Sequence, residues 1–383
     1  MSFTRRHPSR TSSVLVATAT ALALGAALPA ADAAPAPEPG TPEPGKVTAL
    51  TSGADVPWGL AFLPDGSGVY TERNTANVYR LTKSGQRTLL GRVPQSQATG
   101  GEGGLMGLEV SPTFATDHYL YFLHTAAEGN RIARMTLENN RLSGYTVLLR
   151  GMAKNRYHNG GRLRFGPDGK LYAGMGDAQN TALAQDRTSL NGKILRINPD
   201  GSIPADNPFG NAVWSIGHRN PQGLDFDSQG RLWQAEFGNN VMDEVNLVQK
   251  GGNYGWPNCE GTNGSCAGYI APKKTWPVSA GSPSGLTVVN DHVFVATTRG
   301  QRLYRMRIDA GANLVDERTY FSGTYGRLRT PEVDRDGDIW LTTSADRDTT
   351  PNNDRVLLVD VVYSGAGAGD GLRATSAPRP RSR

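Results

Sequence analysis

The chain of 383 residues holds only two cysteines. That is too few for a disulfide scaffold, and the His and Cys partners that zinc would need are not close by. No stretch sustains a 3.6-residue apolar period, which argues against βα repeats. HExxH, GxSxG and P-loop patterns are all missing. The longest apolar run, from Val14 to about Leu28, is shorter than the ~20 residues that a membrane span needs. A formal net charge of +5 invites a nucleic-acid reading, but the excess has a location. Arg5, Arg6 and Arg10 outweigh Asp32 at one end, and Arg373, Arg379, Arg381 and Arg383 outweigh Asp370 at the other. Residues 34–363 are therefore balanced, without the clustered Lys/Arg of a nucleic-acid-binding domain.

The two ends read as something other than fold. Basic residues, the apolar run and Ala31-Asp32-Ala33 make residues 1–33 an expected signal peptide, with Sec and twin-arginine routes both open. Residues 34–46 read as a Pro/Ala/Glu-rich linker, and 364–383 as a disordered Gly/Ala/Ser/Pro/Arg tail. The expected location is secreted or extracytoplasmic, with no membrane span in the mature chain. In such a compartment Cys259 and Cys266 are expected to bridge and pin a Gly/Asn-rich loop, two free thiols being the alternative.

A repeat runs between these ends. Gly59-Leu60-Ala61-Phe62-Leu63-Pro64-Asp65-Gly66 precedes Val69-Tyr70, and related units start near Leu108, Leu163, Leu224, Leu286 and Pro331. Each unit alternates apolar and polar residues, turns at Pro-Asp-Gly or a relative, and resumes as a second apolar strand, which is a β-hairpin signature. The markers are 48, 55, 61, 62 and 45 residues apart, room for four short strands and loops. The expected fold is all-β, a six-bladed β-propeller over 47–363.

Three polar loops open repeat units: Tyr157–Arg162, Gly217–Gly223 and Gly326–Arg329. All precede the same strand of their blades, so symmetry gathers them at one channel mouth. Converging His and Arg side chains suit a small anionic ligand, because guanidinium forks bind carboxylates in bidentate fashion. Glu236–Glu244 offers carboxylates and a Gly turn whose carbonyls could meet a hard cation, but on spacing alone solvated loop charge is the better reading. Asp334-Arg335-Asp336-Gly337-Asp338 resembles a piece of a Ca²⁺ loop, yet coincides with a hairpin turn.

His158-x-x-Gly-Arg162-Leu163, Gly176-Asp177, Gly217-His218-Arg219-Asn220-Pro221-Gln222-Gly223-Leu224, Asp243-Glu244-Val245-Asn246 and Lys250-Gly251-Gly252-Asn253-Tyr254-Gly255-Trp256-Pro257 resemble the soluble pyrroloquinoline-quinone (PQQ) sugar dehydrogenases, the glucose/sorbosone and aldose sugar dehydrogenase group. The resemblance implies a six-bladed propeller, as the repeats do. It implies His158 as general base, Asp177 as its orienting partner and Arg219 as the group that polarises the quinone. Arg219, Asn220, Arg327 and Arg329 would hold PQQ, together with Arg299 where the family usually has Lys and Glu102 where it usually has Gln. Gly238 and Asn239 would give carbonyls to Ca²⁺, with Asp243, Glu244 and Tyr254 near that ion or a structural one. The implied partners are an aldose substrate and an external electron acceptor. Two other readings are a metal-dependent propeller lactonase or hydrolase, and a non-catalytic sugar- or protein-binding propeller.

Overall fold

The computed structural model describes residues 40–344 and 350–364. The expected signal peptide, the linker up to residue 39 and the tail beyond residue 364 lie outside the described residues. Within them, six antiparallel four-stranded sheets follow one another along the chain. Blade 1 is built from Pro57–Phe62, Gly68–Glu72, Asn77–Leu81 and Arg87–Arg92. Blade 2 comprises Leu105–Val110, Tyr119–Thr125, Asn130–Glu138 and Arg141–Met152. Blade 3 comprises Leu163–Phe165, Leu171–Met175, Lys193–Ile197 and Val213–Ile216. Pro221–Phe226, Leu232–Glu236, Met242–Val248 and Lys274–Pro277 form blade 4. Pro283–Val289, His292–Thr297, Arg302–Ile308 and Leu314–Tyr320 form blade 5. Blade 6 takes Leu328–Val333, Ile339–Thr343 and Asp354–Ser364, and completes its sheet with Thr41–Ala54 from the front of the chain. The protein is a six-bladed β-propeller.

That closing strand corrects an expectation. Pairing begins at Thr41, opposite Ser364, within the stretch read as linker and up to the first residue of the expected tail. Pro42 and Pro44 suit an edge strand, where a missing N–H leaves no ladder partner unsatisfied. Glu43 also anchors the strand, accepting from Arg305 and Tyr320 of blade 5. Joining the two ends of the fold in one sheet closes the ring.

The turns show why the hairpin signature recurs. Asp65, Asp168, Asp227 and Asp334 each accept the N–H two residues on, from Ser67, Lys170, Gln229 and Asp336, at 2.9–3.1 Å. Such an Asx bond adds to the backbone hydrogen bonds that close each turn, as from Gly66 N to Leu63 O and from Gly230 N to Asp227 O. In blades 4 and 6 the second carboxylate oxygen takes Trp233 Nε1 (2.8 Å) or Trp340 Nε1 (3.0 Å), so the turn is bolted to the core. The Ca²⁺-like run of blade 6 is thereby a hairpin turn. Lys83 reaches Asp334 at 2.8 Å and Asp336 at 2.6 Å, supplying the positive charge itself.

First strands of neighbouring blades touch around the axis. A Cβ on Gly59 would lie 2.6 Å from the Met106 carbonyl oxygen, and one on Gly107 2.1 Å from that of Gly161. Backbones there are in direct contact, and only glycine fits. Arg162 fills the narrow channel, donating to Gln222 O (2.7 Å), Ser284 O (3.2 Å) and Thr330 Oγ1 (2.9 Å). Its guanidinium also lies 4.2 Å above the Trp58 ring. Burial pulls it down to about 9. Arg164 follows, paired with Glu332 at 2.8 Å, Asp225 at 3.0 Å and Glu109 at 3.2 Å. Buried charges persist when neutralised and hydrogen-bonded together. The axis is therefore a plug at this depth.

Gly107→Ala tests this contact. We expect it to destabilise the propeller by about 3 kcal/mol, since the new methyl must displace backbone rather than a side chain. Thermal denaturation beside the wild type checks it; an unchanged melting temperature would contradict the backbone-contact ring.

Candidate active site

Antiparallel pairing sends the start of every first strand and the end of every second strand to the same end of the propeller. Glu102, His158, Arg219 and Arg327 precede first strands, Arg329 lies near the start of one, and Asp177, Gly238 and Arg299 follow second strands. All therefore gather at one mouth, above the Arg162 plug.

His158 lies in the loop that opens blade 3. Its backbone adopts a left-handed φ of 61°, and its N–H donates to Glu102 Oε2 at 2.9 Å. The ring Nδ1 lies 2.8 Å from Asp177 Oδ1, with Asp177 fully buried and the His158 side chain 16% exposed. Asp177 is itself held on both oxygens, by Gln179 N and by Trp256 Nε1, each at 2.8 Å. Its own N–H donates to Arg219 O at 2.8 Å, joining the loops of blades 3 and 4. A carboxylate on Nδ1 fixes the tautomer and leaves Nε2 with its lone pair toward the mouth.

Arg219 stands beside this pair. Its Nη1 donates to the carbonyls of Phe237 (3.2 Å) and Gly238, and Nη2 to Asn239 Oδ1 at 3.2 Å. Its Nε is buried without a hydrogen-bond partner among the described residues. Burial lowers the guanidinium below its ordinary value, against the pull of Asp177, Glu102, Glu260 and Glu236. Asn220 is a strut: Nδ2 donates to Glu102 Oε2 (2.9 Å) and Oδ1 accepts from Gly160 N (3.0 Å). Glu102 thus ties the His158 and Asn220 loops together. Arg329 is buried, donating to Ser284 Oγ (3.1 Å) and Ser344 Oγ (3.0 Å). Arg327 is half-buried at the same end, and Arg299 is exposed.

The residues expected near a metal divide in two. Gly238 turns so tightly that a Cβ would lie 1.7 Å from Met242 O, and Asp243 Oδ1 accepts its N–H at 2.7 Å. Asp243 Oδ2 takes Ser282 N, so both its oxygens brace the turn. Glu244 lies deeper, bridged to the buried Glu236 carboxylate by Asn246. Burial first, and the charge of Glu236 second, raise its carboxyl well above the usual range. Tyr254 is buried too; its hydroxyl donates to Leu247 O at 2.7 Å and accepts Gln249 N at 2.8 Å. His218, read from the sequence as part of the mouth, is fully buried instead. It bridges Ser215 Oγ and Glu236 Oε1 (2.8 and 2.9 Å) and stacks on Tyr254.

Three contributors emerge that the motif reading left unassigned. Glu236 Oε2 accepts the N–H of Arg219 (2.6 Å) and of Asn220 (3.2 Å), fixing that loop. Trp256 and Glu260 arrive on the segment 249–273, inserted before the last strand of blade 4. This segment returns to the mouth alongside blade 3: Ile216 N donates to Gly252 O (2.9 Å), and Trp256 N to Gly217 O (3.0 Å). Cys259 and Cys266 are joined in a disulfide within it. Trp256 lay in a quoted motif and Glu260 beside a cysteine, but only the path of the chain gives either a role.

A family model described as glucose/sorbosone dehydrogenase matches residues 54–351. The chain belongs to the glucose/sorbosone dehydrogenase family. The PQQ-bound form of an aldose sugar dehydrogenase from Streptomyces coelicolor has a TM-score of 0.78 and 40% identity, covering 85% of this chain and 100% of that one. Quinoprotein glucose dehydrogenase B from Acinetobacter calcoaceticus is 35% identical over 249 residues, 55% of this chain and 52% of that protein. Aldose sugar dehydrogenase YliI from Escherichia coli K12 is 34% identical over 228 residues, 55% of this chain and 61% of that protein. This glucose/sorbosone dehydrogenase family member is accordingly an oxidoreductase of the sugar dehydrogenase class. Among the described residues, no helix is long and apolar enough to cross a membrane.

Trp256→Phe removes the donor to Asp177 Oδ2 while keeping an aromatic ring. We expect kcat to fall about tenfold, the worth of one hydrogen bond to a charged group, with the fold intact by circular dichroism. An unchanged kcat would show that Asp177 needs no second support.

Proposed function

We propose that this protein is an exported, PQQ- and Ca²⁺-dependent dehydrogenase that oxidises the anomeric carbon of aldoses to lactones and passes the electrons to an external acceptor. The observation that carries the reading is the His158–Asp177 pair, a buried carboxylate orienting a partly exposed imidazole beside a guanidinium. Export is supported by the signal-like residues 1–33, which the structure does not describe, and by the Cys259–Cys266 disulfide.

The site's chemistry fits both groups. PQQ carries three carboxylates, and Arg219, Arg299, Arg327 and Arg329 lie at the same end of the channel; Arg219 Nε, without a partner among the described residues, is a donor still to be used. Phe237 and Gly238 carbonyls face a positive group, the Arg219 guanidinium, which supports reading this turn as a place for a cation. Gly238 and Asn239 would hold Ca²⁺ by their carbonyls. The buried Glu236–Glu244 pair would gain from a second cation, because like-charged carboxyls in low dielectric repel.

When bound, PQQ supplies an electrophilic quinone that takes the hydride, and Ca²⁺ polarises it. His158 Nε2 accepts the proton of the anomeric hydroxyl as the hydride leaves C1, so the C–O bond becomes the lactone carbonyl. Asp177 keeps Nδ1 protonated and stabilises the imidazolium that forms. Arg219 places positive charge where negative charge develops. Glu102 and Asn220 hold the His158 loop against blade 4, and the Arg162 plug shuts the channel below, so that sugar reaches His158 only from the mouth.

The test is reconstitution with PQQ and Ca²⁺, an aldose panel and an artificial electron acceptor. We expect turnover in the wild type, and a loss of about 10²–10⁴-fold in kcat for His158→Ala with PQQ affinity retained. Absence of turnover with every aldose would overturn the proposal, and near-wild-type rates for His158→Ala would remove His158 from the mechanism.

A further inference from the structure

One oxygen of Glu260 is unusually engaged. Oε1 accepts four consecutive backbone N–H groups, from Asn239 (2.7 Å), Asn240 (2.9 Å), Val241 (2.8 Å) and Met242 (3.1 Å). Successive N–H groups converging on one anion form a nest, and the nest fixes the orientation of each peptide plane. In a trans peptide N–H and C=O point in opposite directions. The N–H of Asn239 shares a peptide with the Gly238 carbonyl, and that of Asn240 with the Asn239 carbonyl. Drawing both N–H groups toward Glu260 therefore turns both carbonyls away from it. The Gly238 carbonyl meets the Arg219 guanidinium on that other side.

We infer that Glu260 is the positioning residue of the cation-binding turn: its carboxylate aims the Gly238 and Asn239 carbonyls at the mouth and strengthens them as ligands for a hard divalent cation. The inference rests on the reading of this turn as a Ca²⁺ site. Charge adds to geometry, because an anion behind the peptides polarises each carbonyl toward the cation. Glu260 is also among the carboxylates that sustain the charge of Arg219. Its mounting is stiff. Cys259–Glu260 pairs with Asn263–Gly264, the disulfide closes that hairpin, and Gly261 N donates to Glu244 Oε2 at 3.0 Å. The inserted segment thus carries an anion whose hydrogen-bond donors, among the described residues, are the N–H groups of this turn.

Glu260→Gln separates the two contributions, since an amide oxygen can still accept the N–H groups but carries no charge. Glu260→Ala removes both. The readout is Tb³⁺ luminescence of the purified full chain without PQQ, with Ca²⁺ as competitor. Trp256 lies close enough to sensitise the ion, its ring 5.4 Å from the Arg219 guanidinium, and Trp256→Phe identifies the signal of this turn. We expect Glu260→Gln to weaken binding about tenfold, as ligand-site charge tunes Ca²⁺ affinity, and Glu260→Ala to weaken it further. The melting temperature in chelator should stay unchanged for Glu260→Gln. Equal affinity in wild type and Glu260→Gln, loss of affinity only alongside a lower chelated melting temperature, or no Trp256-dependent signal in the wild type would each overturn the inference. Because the titration omits PQQ and sugar, failure of the dehydrogenase reading would appear separately, as absent turnover with normal Tb³⁺ binding.

Discussion

Direct backbone contact between the first strands of neighbouring blades is the constraint on which the rest depends. Gly59 and Gly107 have no room for a side chain, so the ring closes tightly and the axis is narrow enough for Arg162 to span. A narrow axis leaves no through-channel at that depth. It also brings the loops of blades 2, 3 and 4 close enough that single side chains join them. Glu102 reaches both His158 and Asn220, and Asp177 reaches Arg219 through the backbone. The site is thus a consequence of ring geometry, with polar residues placed where the loops must meet.

A second layer comes from the segment 249–273, which no repeat requires. It brings two side chains to two different tasks, Trp256 to the orienting carboxylate of His158 and Glu260 to the carbonyl turn at Gly238. The His158–Asp177 pair and the turn at Gly238 are therefore braced by one stapled insertion. Behind them Glu236 fixes the Arg219 loop while pairing with His218. Removing either support would loosen geometry without deleting a reacting group.

Local features were readable without coordinates. Pro-Asp-Gly turns report their own hydrogen bonding through Asp65 and Asp168, and their relatives through Asp227 and Asp334, so the repeat number and the end at which loops gather follow from spacing. Long-range features were not. Thr41–Lys46 looks like linker because its prolines are foreign to a central strand, yet an edge strand tolerates them. His218 and His158 both sit in polar loops before a first strand, and only the packing of Tyr254 and Glu236 decides that one faces inward. Glu260 shows no local pattern at all. Its four partners lie about twenty residues away, and the path of the insertion is a tertiary fact.

In the proposed reaction, His158 removes the proton of the hydroxyl on the sugar carbon that loses its hydride. Single-turnover reduction of PQQ in the reconstituted protein, followed spectroscopically with an aldose deuterated at C1 and with its protiated counterpart, tests it most directly. The account predicts a primary isotope effect on cofactor reduction in the wild type, and in His158→Ala a far slower reduction that still shows the effect. An absent isotope effect with chemistry rate-limiting, or equal rates in the two proteins, would contradict it.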